Sequence, residues 1–86
     1  MPIISMFYGI KILMYFDEHN PPHFHAEYAE FRAIITIKEP KVVEGYLPSK
    51  QLRLVLAWAE IHNKKLFKNW NCAQASGSIK KITPLR

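Results

Sequence analysis

The apolar residues of this chain change their spacing once, at Ser49, and that change limits the folds that the chain can adopt. Before Ser49, apolar and polar residues alternate with a period of two, which is typical of half-buried β-strands. After Ser49, apolar residues recur at i, i+3 and i+4, which indicates helix. The sequence therefore predicts an α+β fold, a mostly antiparallel sheet (an N-terminal β-meander) covered on one face by C-terminal helices.

Five strands are predicted before the change, at residues 3–8, 10–17, 23–28, 31–37 and 42–46. The first two meet at a hairpin turn near Gly9, and Pro40 precedes the fifth because proline cannot donate to a ladder. In the second strand the expected apolar face consists of Ile10, Ile12, Met14 and Phe16. We expect residues 42–46 to lie at an edge of the sheet, and residues 79–83 are a candidate short final strand.

The helical part is expected to begin near Ser49, a plausible N-cap, and to end near Gly77. Asn63 interrupts the apolar stripe, which predicts either a bend or a new N-cap at that residue, with two helical pieces. Leu66, Phe67 and Trp70 continue the stripe beyond it.

Composition limits the class of protein. The 86 residues are interpreted as a single domain, residues 1–86, with a small core. One cysteine, Cys72, excludes an intrachain disulfide and favours a reducing cytoplasm. No signal peptide or membrane span is expected. The net charge of +5 favours an anionic partner such as RNA, DNA or an acidic protein surface, although excess lysine also serves solubility.

Residues 17–28 concentrate the reactive side chains, since three of the four histidines and three of the seven carboxylates lie there. Asn20-Pro21-Pro22 predicts a turn, because each proline fixes its own φ and restricts the residue before it. On the strand that follows, alternate side chains share a face. His23, His25 and Glu27 should therefore point to the open side, and Phe24, Ala26 and Tyr28 to the core.

Two imidazoles and a carboxylate on one strand face suit a divalent transition metal such as zinc, manganese or iron. The candidate ligands are His23, His25 and Glu27, with His19 or Asp17 as a further ligand from the preceding turn. The alternative is that these are ordinary exposed or hydrogen-bonded strand histidines, and the spacing does not choose between the two.

A third interpretation is a metal-free acid–base or anion-binding site. Histidine titrates near neutrality, and nearby cations would hold a phosphate while one group takes the proton of a 2′-hydroxyl and another protonates the leaving oxygen. Lys11 would help to neutralise the phosphate. The candidate catalytic residues are His23, His25, Glu27, Tyr15 and Arg32.

A basic region follows near the C-terminus, and it consists of Lys64, Lys65, Lys68, Lys80, Lys81 and Arg86. Phe67 and Trp70 lie between these cations, an arrangement that can bind nucleic acid by stacking bases between phosphate contacts. Both aromatic residues also fit the helical core stripe, and that interpretation is preferred.

The sequence resembles a bacterial domain-of-unknown-function family, number four thousand one hundred and sixty. The resemblance extends over essentially the whole chain and is most specific in the Asn-Pro-Pro-His-Phe-His segment. The matching positions lie in residues 4–10, 14–28, 52–58, 69–70 and 82–85.

The resemblance implies a short bacterial protein whose gene often neighbours another small gene, as in toxin–antitoxin modules, and it implies no catalytic residues. We therefore expect a component of such a module that acts through a small protein partner encoded nearby, and through RNA as a further candidate target. The alternative is a small metal-dependent enzyme. Self-association is also open, and a membrane partner is not expected.

Overall fold

The computed structural model describes residues 3–16, 19–75 and 77–85, and within them it contains a five-stranded antiparallel sheet followed by two helices. The strands pair in sequence order, so that the first and fifth form the edges. They are β1 Ile3–Phe7, β2 Ile10–Leu13, β3 His23–Tyr28, β4 Phe31–Thr36 and β5 Val42–Gly45. The predicted α+β class and the meander are confirmed.

Short connections between strands depend on left-handed backbone conformations. Tyr8 and Gly9 join β1 to β2 with φ values of 49° and 77°. Positive φ at both positions is the conformation of a hairpin turn whose twist matches that of the strands. Ala29, with φ of 51°, opens the equally short connection from β3 to β4.

The two helices, α1 Ser49–Ile61 and α2 Asn63–Gln74, pack against one face of the sheet. Ser49 is the first helical residue rather than the N-cap, and that position is taken by Pro48 without a side-chain cap. The predicted division into two helical pieces is present, but Asn63 is the first residue of α2 rather than its N-cap, which is His62. In the described part of the chain, neither helix is long and apolar enough to cross a membrane.

The core lies between the sheet and the helices. Phe24 and Ala26 of β3 are fully buried, and the Phe24 ring centroid lies 5.9 Å from that of Trp58 on α1. Phe7 of β1 approaches Trp58 at 5.5 Å. Full burial of one large apolar side chain contributes about 1.5–3 kcal/mol. His23 and His25 of the same strand are only half-buried, so the predicted separation of Phe24 from these histidines is confirmed.

The second strand is shorter than the alternation predicted. β2 ends at Leu13, and Phe16, expected on the apolar face, is 47% exposed. Leu13 is completely buried although it lies on the face away from the helices, where it pairs with Ile3 and His25. Its cross-strand neighbours, rather than the helices, flank it there, so the open face has a small apolar patch of its own.

Polar side chains fix the helices and the C-terminal segment in place. Asn63 donates from Nδ2 to the carbonyl oxygen of Ile37, the residue that follows β4. The Trp58 indole donates to the carbonyl oxygen of Thr83 at 2.9 Å. Residues 79–83 are not assigned as a strand, yet the Ile82 amide donates to the Ile4 carbonyl oxygen of β1 at 2.7 Å.

Among the three glycines, Gly45 leaves the least room for a side chain. Its φ is +83°, and an added Cβ would collide with the Arg32 carbonyl oxygen of β4. Gly9 has a similar φ of +77°, but there a Cβ would make ordinary contact with the Tyr28 ring at 3.5 Å. We predict that Gly9→Ala lowers the free energy of unfolding by about 1–2 kcal/mol, and that Gly45→Ala lowers it by roughly 3 kcal/mol or more.

Urea unfolding of both variants measures the difference. Equal losses in the two variants would mean that left-handed strain alone, and not the collision with Arg32, limits the β4–β5 pairing.

His62, between the two helices, should make stability depend on pH. Burial first and the nearby charge of Lys65 second hold the pKa of this imidazole below its usual value. Because the folded state then binds the proton less readily than the unfolded chain, the stabilisation is present above about pH 6.5 and is lost as pH falls through the folded pKa. We expect His62→Gln to reduce the loss of stability between about pH 7.5 and 5.5, measured by urea unfolding at both pH values.

Candidate functional site

A groove of about 300 Å³ lies on the sheet face away from the helices and collects most of the histidines. The loop before β3 forms one wall, and β5 forms the other. We call it the histidine groove, and its lining residues are His19, Asn20, Pro21, His23, His25, Ile34, Val43 and Glu44.

A second depression of about 250 Å³ continues the histidine groove along β4 and β5. The two share His25, Ile34 and Glu44, and the second adds Arg32. Polar groups of both charges therefore border one continuous surface, and Ile34 and Val43 supply its apolar part. Apolar walls with a few converging polar groups are typical of ligand sites.

The loop holds the first of the strand histidines in a defined orientation. The Asn20–Pro21 peptide bond is cis, and the Pro21 carbonyl oxygen lies 2.8 Å from Nδ1 of His23. A carbonyl oxygen can only accept, so Nδ1 carries the hydrogen. In neutral His23 the Nε2 atom is then the basic nitrogen, as a metal ligand or a general base requires.

A row of ring contacts joins the groove to the core. The Tyr15 ring meets His25 edge-on at 4.6 Å, and His25 lies 5.5 Å from His23. His23 in turn lies 5.1 Å from Trp70, which is buried on α2. Tyr15 and His25, two of the candidate catalytic residues, are thus brought together, and both histidines are half-buried between these rings.

Glu27 lies apart from the histidine groove. It pairs across the sheet with Lys11 on β2 and Arg32 on β4, and its Oε2 atom lies 3.8 Å from Nε of Arg32. Opposite charges in register stabilise a sheet modestly, and Arg32 is mostly exposed. The structure therefore divides the predicted set, with His23 and His25 in the groove and Glu27 in a row of ionic residues.

The carboxylate that does reach the groove is Glu44, which sequence reasoning missed. Glu44 pairs with Ile34, which pairs with His25, so two strand spacings of about 10 Å in total separate the backbones of Glu44 and His25. Metal ligands must converge to about 2 Å from one ion. Accordingly, no three histidine, cysteine or acidic side chains form a metal-binding group among the described residues.

Asp17, the further candidate ligand, lies outside the described residues, so the metal hypothesis stays a prediction. His19, the other further candidate, does line the groove beside His23 and His25. The sequence placed Val43 and Glu44 in a predicted edge strand but did not predict that they line the groove. Their position beside the histidines follows from the pairing of β4 with β5.

A larger depression, of about 450 Å³, lies elsewhere, at the corner between α1 and α2. It combines Glu60 with Lys64 and Lys65 around the exposed Ile61. The histidine groove is smaller but gathers three imidazoles, so it is the better candidate for chemistry.

A family model described as a domain of unknown function (DUF4160) matches residues 9–71. The match extends over well more than half of the chain and includes every residue that lines the histidine groove. The protein therefore belongs to this family. Neither a curated protein nor a solved structure matches the chain.

Proposed function

We propose that this protein is one component of a cytoplasmic two-protein module of the toxin–antitoxin kind, and that its protein partner binds the edge of β5 and covers the histidine groove. One observation carries the proposal: Val43 and Glu44 of β5 line the same groove as His19, His23 and His25. A chain that pairs with this edge would lie at the rim of that groove, one strand beyond Glu44.

The exposure of β5 supports pairing at this edge. β5 hydrogen-bonds to β4 alone among the described strands, and Val43 is 52% exposed. Exposed strand edges are templates for added strands, and their main-chain hydrogen bonds supply affinity. Tyr46, just beyond β5, is 61% exposed and adds an aromatic anchor of the type that dominates protein interfaces.

The register limits where a partner strand can pair. The pairing of β4 with β5 shifts between Ile34 and Ile35, which leaves Val43 as an extra residue on β5. Such bulges bend a strand and interrupt regular pairing. We therefore place the added strand along Glu44, Gly45 and Tyr46, with the Val43 side chain as an apolar contact at its end.

This proposal predicts that one substitution can remove the activity of the histidine groove and another can weaken partner binding, each without the other effect. Strong expression of the protein alone should slow bacterial growth, and co-expression of the protein encoded beside it should restore growth. His25→Ala should relieve the growth defect and still bind the partner, because His25 lies on the floor of the groove rather than at the edge.

Val43→Glu should weaken the partner complex by about 2 kcal/mol, roughly thirty-fold in Kd, because a charge would replace an apolar contact. Ile61→Glu is the matched control, since Ile61 is 67% exposed at the helix corner. Titration calorimetry measures the complexes. Normal growth on strong expression, or equal weakening by both substitutions, would contradict the proposal.

A metal-dependent activity is the second candidate, favoured by the presence of His19, His23 and His25 in one groove. Zn²⁺, Mn²⁺ or Fe²⁺ would take imidazole nitrogens there and would supply an activated water. The residues that would hold the ion are His19, His23 and His25, and the carboxylates that the sequence suggested are Glu27, which lies apart from the groove, and Asp17.

Titration calorimetry with Zn²⁺ and Mn²⁺ tests this candidate on the intact protein and on three variants. We expect His25→Ala to weaken binding at least about ten-fold, because each ligand to a genuine site contributes strongly. Loss with Glu27→Gln would support the His-x-His-x-Glu set, and loss with His19→Ala would support the groove set. Equal, weak binding by all four proteins would exclude a specific metal site.

A further inference from the structure

A separate groove, of about 240 Å³, lies between α2 and the C-terminal segment and is bordered by lysines. We call it the lysine groove. Its lining residues are Lys65, Lys68, Asn69, Lys80, Lys81 and Ile82. Among the described residues, no aspartate or glutamate lines it. Arg86, the remaining cation of the predicted basic region, lies outside the described residues.

Asn69 builds the lysine groove. Its Nδ2 atom donates to the Lys80 carbonyl oxygen at 2.7 Å, and its Oδ1 atom accepts from the Lys80 amide at 3.2 Å. The side-chain amide thus binds both main-chain groups of a residue eleven positions away. Asn69 is 4% exposed, so these bonds are shielded from water. Lysines that are distant in the sequence are therefore held side by side by a buried clamp.

The rest of the C-terminal segment is also fixed, so the lysines extend from an ordered backbone. Ile82 is 4% exposed and its amide bonds to Ile4 of β1, while the Trp58 indole binds the carbonyl oxygen of Thr83. The four lysines themselves are exposed. Four like charges around one depression repel one another, and a bound polyanion would remove that repulsion.

The lining favours a nucleic acid over a protein as the polyanion. Lysine is depleted in protein interfaces, which depend on apolar and aromatic anchors. In the lysine groove the two other lining residues, Asn69 and Ile82, are buried and serve the fold. The accessible groups that remain are the positively charged lysine side chains. Such charges bind phosphates, and this binding does not depend on the nucleotide sequence.

We propose that the lysine groove binds the phosphodiester backbone of a nucleic acid. This site is separate from the edge of β5, and the inference does not depend on the toxin–antitoxin role. RNA and DNA share the phosphate chemistry, so the choice between them is an outcome of the experiment.

Fluorescence anisotropy with a labelled single-stranded RNA and the DNA of the same sequence tests the proposal on the full chain. Four phosphate contacts on a single strand predict a slope of about −2.8 in log K against log salt, hence a roughly 50-fold loss of affinity between about 50 and 200 mM salt. Replacing Lys65, Lys68, Lys80 and Lys81 together by Gln should abolish most of the binding and flatten the salt dependence.

The matched control replaces four other exposed cations by Gln, namely Lys38, Lys41, Lys50 and Arg53. Both variants lower the net charge of +5 by four, to +1, so long-range attraction changes equally. We expect the control to retain most of the affinity of the unchanged protein. Equal loss in both variants would overturn the proposal, as would no binding by the unchanged protein.

Asn69→Ala tests the clamp without changing the charge. If the clamp aligns the lysines, this variant should bind several-fold more weakly with a smaller salt slope, provided that near-ultraviolet circular dichroism of Trp58 and Trp70 shows an intact core. Binding equal to that of the unchanged protein would exclude the clamp. Displacement of the RNA by poly-glutamate at equal charge concentration would instead identify the groove as a site for an acidic protein and overturn the proposal.

Discussion

The alternation of side chains along β3 is the constraint on which the rest of the structure depends. β3 is the central strand, so its register decides which face of β2, β3 and β4 meets the helices. In the observed register Phe24 is buried against Trp58, a gain of about 1.5–3 kcal/mol for the ring. A slip of one residue would bury His23 and His25 instead, and each unpaired polar group in the core costs about 1–3 kcal/mol. Both effects favour the same register.

The sequence was sufficient to predict the elements because local patterns determine them. The period of two located all five strands, and the period of 3.6 located both helices, with the break next to Asn63. The errors occur where a long-range contact decides. β2 ends at Leu13 although the alternation continues to Phe16, and Leu13 is buried by cross-strand neighbours that the local pattern does not specify.

The candidate site was predicted in part for the same reason. His23 and His25 share a face because they are two residues apart on one strand, and their contact with each other follows directly. Glu27 obeys the same rule, yet its charge is matched by Arg32 of the next strand, which no spacing within β3 reveals. Glu44 enters the histidine groove through the pairing of β4 with β5, and Trp70 reaches His23 through the packing of α2. Both depend on tertiary structure.

Asn69 and Trp70 connect the two candidate surfaces through consecutive positions of α2. Successive residues of a helix point about 100° apart, so one helical turn can serve two different neighbours. Asn69 holds the main chain of Lys80, and the Trp70 ring contacts His23 at the start of β3. Helix α2 thus supports both grooves. The hydrogen bonds of Asn69 orient the main chain at the lysine groove, and the ring contact of Trp70 orients His23 in the histidine groove. Because Asn69 and Trp70 are both buried, a rotation of α2 that improved one set of contacts would disturb the other. The geometry of each surface is therefore tied to that of the other.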